Sequence, residues 1–392
     1  MSVSRRTFLS SSVALAVALG ANPSAVLAAG EQRRRAPRAL GPPDANGIAL
    51  PPGYTSRVVA RQGQSVGASG YLWHRFPDGG ACFATRDGGW IYVSNSETFG
   101  VDDGGAGAIR FDRVGRVRDA YPILTGTSRN CAGGPTPWGT WLSCEEREGG
   151  RVFECDPTGS TPARERLALG RFSHEAAAVS PDRRHVYLTE DQPDGRLYRF
   201  TATVPGDLGH GTLCAARVDA DRNVDWLPIP DPSAATVPTR LQVPETTPFA
   251  GGEGIWWING TVTFVTKRDH RVWRLNPRSG RLRLVYDALA DPAGVLGEPD
   301  NIVVTHQGDI YVCEDQPTEQ QIVLIDRRGL VAPVLQLVGQ NGSELTGIAF
   351  TARGDRMYVS SQRGTDRGPG LGITYEITGP FHARTGRYPV RT

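Results

Sequence analysis

Six times along the chain an aromatic residue is followed by an aliphatic one and then Ser, Thr or Cys. The runs are Tyr92-Val93-Ser94, Trp141-Leu142-Ser143, Tyr187-Leu188-Thr189, Phe264-Val265-Thr266, Tyr311-Val312-Cys313 and Tyr358-Val359-Ser360. Short aromatic and β-branched runs predict strands. Successive aromatics lie 46 to 49 residues apart, except that Tyr187 and Phe264 are 77 apart. The surplus falls in a Pro-rich stretch at about 203–247, read as an insertion. Each centre is followed by a turn and a returning strand, such as Arg196-Leu197-Tyr198-Arg199-Phe200 or Ile373-Thr374-Tyr375-Glu376-Ile377. Each is preceded by a Gly- or Asp-containing turn and a further apolar strand, as at 176–179, 255–257 and 302–304. Several strands per unit of 40–50 residues is the pattern of propeller blades. Six units predict an all-β, six-bladed β-propeller spanning 50–392. Residues 54–60 are expected to supply the outer strand that closes the ring with the last blade.

In a propeller the first strand of each blade lines the central channel. Ten to fourteen residues before each aromatic centre stands a ligand-type side chain: Asp78, Cys131, Glu175, Glu253, Asp300 (with Glu298) and Glu344. Entering from one end of six such strands, they must converge on the axis. Desolvated like charges cannot all stay ionised, and bound cations resolve the conflict. Oxygen-rich sites suit Ca²⁺, whereas a thiolate selects a transition metal such as iron. A second set follows the middle strands: Glu97, Glu145, Glu146, Glu190, Asp191, Glu314 and Asp315. Fewer than half of these are expected to touch a metal. His174 adjoins Glu175 as a ligand, a proton donor or a hydrogen-bonding neighbour of the site. The histidines at 185, 210, 270, 306 and 382 read as turn or surface residues.

With 392 residues the chain can hold two average domains or one large all-β domain. A net charge of +2 gives no nucleic-acid footprint. The basic residues are almost all arginine, Lys267 being the only lysine. Ser4-Arg5-Arg6-Thr7-Phe8-Leu9, the apolar run 13–20 and Val26-Leu27-Ala28-Ala29 read as a Tat signal peptide over 1–29. The apolar run is too short to span a bilayer comfortably. The expected address is therefore outside the cytoplasm: periplasmic, extracellular or at the cell envelope. Residues 30–49 read as a flexible linker. In an exported chain the six cysteines permit disulfides, and Cys144 and Cys155, flanking one hairpin, could pair.

The most distinctive stretch is Asn130-Cys131-Ala132-Gly133-Gly134, with Thr136-Pro137-Trp138-Gly139-Thr140-Trp141-Leu142 and Cys144-Glu145-Glu146 after it. Together with Phe172-Ser173-His174-Glu175-Ala176, Thr189-Glu190-Asp191, Glu298-Pro299-Asp300-Asn301 and the closing Tyr375-Glu376-Ile377-Thr378-Gly379-Pro380-Phe381, it resembles the PhoX-type alkaline phosphatases from about 50 to 381. The resemblance implies a six-bladed propeller and a cluster of ferric and calcium ions, bridged by an oxo group, that hydrolyses phosphate monoesters. By position it implies Cys131 as the iron-ligating thiolate. Glu146 or its neighbour Glu145, Glu175, Glu253 and Asp300 become the carboxylate ligands, and catalysis rests with Cys131, Glu175, Glu253 and Asp300. Partners then reduce to a small phosphate ester and the Tat machinery, with the protein acting as a monomer.

Two departures stand out. Gly251-Gly252 precedes Glu253 where the family has an Arg-Pro pair, and Asn95-Ser96-Glu97 replaces Asn-His-Glu. Arg129, His174, Lys267 and Arg268 are the residues available to hold the substrate phosphate in place of the missing arginine. Two alternatives stay open. One is a calcium-dependent propeller lactonase or esterase, which Glu253-Gly254 and Pro299-Asp300-Asn301 also fit but which has no need of Cys131. The other is a non-catalytic, metal-stabilised binding propeller.

Overall fold

The computed structural model describes residues 39–291, 293–316, 318, 320–365, 371–381, 383–386 and 388–390; the Tat-type segment, the first part of the linker and His382 lie outside them. Six antiparallel sheets follow one another along the chain as the blades of a six-bladed β-propeller. Their innermost strands are Pro77–Ala84, Asn130–Pro135, His174–Val179, Gly252–Ile258, Pro299–Val304 and Leu345–Phe350. The second strands are Trp90–Ser96, Trp141–Glu145, His185–Glu190, Thr261–Thr266, Ile310–Glu314 and Arg356–Ser361. Each repeat centre sits in a second strand. The only helical turns among the described residues are three short 3-10 segments.

The centres are apolar on consecutive residues because blades pack face to face and bury both sides of a sheet. Tyr92 points toward blade 6, its ring stacked 4.6 Å from Tyr358, and shares that core with Ala349. Its neighbour Val93 points the other way, into a core with Trp141 and Phe153 of blade 2. Ring closure follows the expectation. Thr55–Arg61 pairs antiparallel with Ile373–Thr378 as the outer strand of blade 6.

Three expectations need correction. The linker does not extend to 49, because Ile48–Ala49 pairs with Val331–Leu337 as an extra edge strand of blade 5 and both residues are buried. The stretch at 203–247 is only partly an insertion. Gly211–Val218 and Val224–Pro228 are the fourth and fifth strands of blade 3, and the Pro-rich remainder crosses to blade 4. Finally, all six cysteines are free and buried. Cys144 lies opposite Val152 and Cys155 opposite Trp141 in the blade 2 register, so the two thiols are not cross-strand partners.

Candidate metal centre

Every innermost strand carries a register break at one level, near its N-terminal end. The breaks fall between Pro77 and Gly80, Asn130 and Gly133, His174 and Ala177, Gly252 and Ile255, Pro299 and Ile302, and Thr346 and Ala349. A bulge frees a residue from the ladder and re-aims its side chain. The first freed residues are Asp78, Cys131, Glu175, Glu253, Asp300 and, in blade 6, Gly347. The last blade thus breaks the pattern, and Glu344 enters from just before its strand instead.

The freed backbone is held by the neighbouring blade. Asn95 Nδ2 donates to the carbonyls of Cys131 (3.2 Å) and Ala132 (2.7 Å), while its Oδ1 accepts from Trp141 and Ser143. Thr189 Oγ1 donates to Glu253 O, and Thr346 Oγ1 to Pro77 O. The Gly347 amide donates to Asn301 Oδ1. Tight inner strands leave no room for side chains facing one another across the blades. A Cβ on Gly79 would lie 2.5 Å from Ala132 Cα, so only glycine fits there.

The residue just after each second strand forms a second tier: Glu97, Glu146, Asp191, Lys267, Asp315 and Gln362. Both tiers meet in four overlapping groups, Asp78–Glu97–Cys131, Cys131–Glu146–Glu175, Glu175–Glu253–Asp300 and Asp300–Asp315–Glu344. Within each group the ligand atoms lie within 4.8 Å of one another. Cys131, Glu175 and Asp300 each belong to two groups, so eight carboxylates and a thiol make one continuous arc. At that spacing an ionised pair repels by roughly 3–4 kcal/mol at an effective dielectric of ~20. Burial and mutual repulsion accordingly push Asp78, Glu146, Glu175, Glu253 and Glu344 well above the ordinary carboxylate range. Burial, then the charges of Asp78 and Glu175, push the Cys131 thiol up in the same way. The thiol donates to Glu175 Oε1 at 3.4 Å, but the buried Glu175 Oε2 has no hydrogen-bond partner. This donor set fits cations: hard oxygens throughout, with one soft sulfur at the junction of two groups.

Protein cations answer part of this charge. Lys267 Nζ lies 2.9 Å from Asp300 Oδ2, 2.7 Å from Asp315 Oδ2 and 3.9 Å from Glu253 Oε1. Arg363 Nη2 reaches Glu344 Oε2 at 2.9 Å, and Gln362 Nε2 bridges Asp78 (2.6 Å) and Glu97 (2.7 Å). Below the arc the channel narrows to a cavity of about 30 Å³ lined by Gly79, Ala132, Ala176, Gly254 and Ile348. That holds little more than a water molecule.

Several residues singled out in the sequence lie elsewhere. Glu145 is turned away from the arc. It is fully buried, and accepts from Arg151 Nε and Nη2, Arg147 Nη2 and the Ser128 amide. Those donors outweigh burial and lower its pKa. Glu298 is outside the four groups and takes part through its carbonyl, which accepts the Asp315 amide. Glu190 accepts from Tyr198 Oη and the Arg196 amide, and burial raises its pKa to about 7. His174 is packed on Phe172 with Nε2 on Gly170 O. Burial lowers its pKa to about 4, which keeps it neutral. Arg129 is exposed, its guanidinium 5.3 Å over the Phe99 ring. Arg268 packs over Gly251, where a Cβ would come within 2.9 Å of its Cγ, and lies 3.7 Å from Asp191. Gln362 and Arg363 were not anticipated. Their signal was positional, since Gln362 follows the sixth centre at the interval that places Asp315 after the fifth.

The overall architecture has well-defined relatives. Pseudomonas fluorescens PhoX, solved in complex with vanadate, a transition-state analogue, superimposes with a TM-score of 0.72 at 17% identity, covering 89% of this chain and 98% of that one. A Bacteroides thetaiotaomicron protein of unknown function aligns at 0.52 with 9% identity, covering 83% and 76%. A Xanthomonas campestris gluconolactonase reaches only 0.46 at 13% identity, over 88% and 99%, too loose a likeness to carry an argument. No curated protein matches the chain in sequence. The family model described as alkaline phosphatase PhoX matches residues 113–151 and 147–364, more than half of the sequence. The chain therefore belongs to the PhoX alkaline phosphatase family.

Proposed function

We propose that this protein is a Tat-exported, metal-dependent phosphatase that hydrolyses phosphate monoesters over the arc of ligands at the mouth of the propeller. The observation that carries the reading is Cys131, a thiol shared by two carboxylate groups at the junction of the arc. A lactonase with calcium alone has no use for it. Asp78, Glu97, Cys131, Glu146, Glu175, Glu253 and Asp300 hold the ions, with iron at Cys131 and calcium at the all-oxygen group Glu175–Glu253–Asp300. When bound, these ions supply Lewis-acid polarisation of the phosphoryl oxygens and activation of water.

The chain's own residues do the rest. The channel next to the arc, about 30 Å³ where Gly79, Ala132 and Gly254 line it, has no room for a phosphate ester. Asn95 and Thr189, by pinning the bulged backbone at Cys131 and Glu253, hold the ligand set in one geometry. Arg268, half-exposed above Gly251, is the guanidinium positioned to meet an anionic substrate, because glycine at 251 leaves it the room. The N-terminal pattern Ser4-Arg5-Arg6-Thr7-Phe8-Leu9 supports export, and no helix among the described residues is long and apolar enough to cross a membrane.

The test is release of p-nitrophenol from p-nitrophenyl phosphate by the exported protein, with calcium and then with chelator, beside Cys131→Ser. Calcium-dependent turnover that falls in the variant by at least ~10²-fold is expected, since even neighbours of metal ligands cost 10–100-fold. No phosphate release, or an unimpaired variant, would overturn the reading.

A further inference from the structure

The second tier of the arc is acidic or neutral in five blades and cationic in one. Glu97, Glu146, Asp191, Asp315 and Gln362 occupy the position after the second strand; blade 4 places Lys267 there, the only lysine in the chain. Its ammonium contacts two of the three acids of the Asp300–Asp315–Glu344 group, at 2.9 and 2.7 Å. The third acid, Glu344, is held by Arg363 at 2.9 Å. Calcium would need those same carboxylate oxygens at about 2.3–2.6 Å. An ammonium at 2.7–2.9 Å fills nearly that position, and the two cannot share it. Lys267 and Arg363 together carry two positive charges, the charge of one divalent ion.

We infer that Lys267, seconded by Arg363, is a tethered counter-ion that replaces one metal ion, so that the Asp300–Asp315–Glu344 corner holds no metal and the arc is loaded at its three other groups. The inference rests on the metal-loaded reading above and deepens it. A tethered cation is present whatever the metal supply and fixes Asp315 and Glu344 in place. Glu175–Glu253–Asp300 shares the ammonium through Asp300 and, at 3.9 Å, Glu253, but has no cation of its own; among the described residues, Asp78–Glu97–Cys131 receives the neutral Gln362 and Gly79 amides, and no ion pair is made by Cys131–Glu146–Glu175.

The experiment counts metal per chain in the full protein after chelation and reloading with calcium and ferric iron. Wild type is compared with Lys267→Met, Lys267→Arg and Arg363→Gln. Lys267→Met is expected to take up one additional calcium per chain, and its melting temperature to rise more steeply with the logarithm of calcium concentration, as one more linked ion requires. Lys267→Arg should keep the wild-type count and slope. A count in Lys267→Met equal to or below wild type overturns the inference, as does an unchanged count with only a raised KM, which would make Lys267 a substrate contact. If Lys267→Met fails to fold without calcium, it is refolded in calcium and counted. Arg363→Gln, which leaves Lys267 in place, then gives the second reading: a steeper calcium dependence of melting than wild type supports the tethered pair, and an unchanged one overturns it. A wild-type chain that binds metal but releases no phosphate sinks the phosphatase reading alone. An active enzyme with an unchanged count in Lys267→Met sinks this inference alone.

Discussion

Glu145 and Glu146 are adjacent in the sequence and opposite in role, and the difference is one of direction along a strand. Glu145 is the last residue of its strand and is held away from the arc by Arg147, Arg151 and the backbone amides of Ser128 and Arg151. Glu146, one residue on, faces the arc beside Cys131 and Glu175. Adjacent strand residues point to opposite faces, so only one of the pair can reach the centre; the sequence does not say which, because the phase at a strand end is set by the turn. Glu145→Gln should destabilise the fold by about 2 kcal/mol, below the cost of breaking a fully buried pair because Arg147 and Arg151 can rehydrate, while metal content stays at the wild-type level. Glu146→Gln should do the reverse, lowering metal content and activity while raising the melting point of the metal-free protein, since it removes one of several like charges. Denaturant melts with and without calcium, beside metal analysis, separate the two. If Glu145→Gln lost metal and Glu146→Gln did not, the assignment of this corner would be wrong. His174 was ambiguous in the sequence for a related reason. Its neighbour Glu175 was legible as a channel residue, but the Phe172 ring that turns the imidazole away is itself placed by stacking on Tyr198, 4.2 Å away on another strand of the folded blade.

At the scale of the strand, the second strands were the most legible elements and the bulges of the innermost strands the least. Second strands are buried on both faces, and their continuous apolar runs announce this. Innermost strands mix glycine, alanine and one polar residue, a composition that fits a turn as well as a strand. What makes them strands is the close approach of their neighbours. Gly79 shows the constraint: a methyl group there would press on Ala132 Cα at 2.5 Å and on the Cys131 carbonyl at 2.9 Å. Both contacts are backbone and cannot step aside. Gly79→Ala is therefore expected to cost about 1–3 kcal/mol, the usual range for overpacking, and to lower activity as well, because the displaced segment carries Cys131. A variant as stable and as active as wild type, judged by urea denaturation and phosphate release, would show that the inner ring is looser than these contacts imply. Asn95 was readable only as part of a motif. Its function in clamping the Cys131 and Ala132 carbonyls depends on blade 1 lying against blade 2, which no local pattern encodes.

The propeller is a ring closed in two places. At the perimeter, Arg57 from the N-terminal strand meets the buried Glu376 of the last blade, which also accepts from Arg356 and Tyr358. At the axis, all six blades contribute to the arc of acids. The perimeter closure was legible in outline from the apolar strand at 54–60; its ion-pair lock was not, because Arg57 and Glu376 are 319 residues apart. The axial acids make stability depend on pH in a direction unusual for carboxylates. Asp78, Glu146, Glu175, Glu253 and Glu344 have folded pKa values above the ordinary 3.8 for Asp and 4.5 for Glu, chiefly through burial. Between the ordinary and the raised values the folded chain holds protons that the unfolded chain has released. Their contribution to stability is fully present below about pH 4 and is lost as pH rises through the raised values. The metal-free protein should thus melt at progressively lower temperature as pH increases from about 5 to 8. Bound cations take over from the protons, so the loaded protein should show little of this slope, and loading at neutral pH should release protons into an unbuffered solution. Thermal melts at several pH values, in chelator and in calcium with ferric iron, test this directly. Parallel pH profiles in the two conditions would mean that the acids of the arc are not where the metal binds, whereas a slope confined to the chelated protein ties the stability of the entire ring to the charge at its axis.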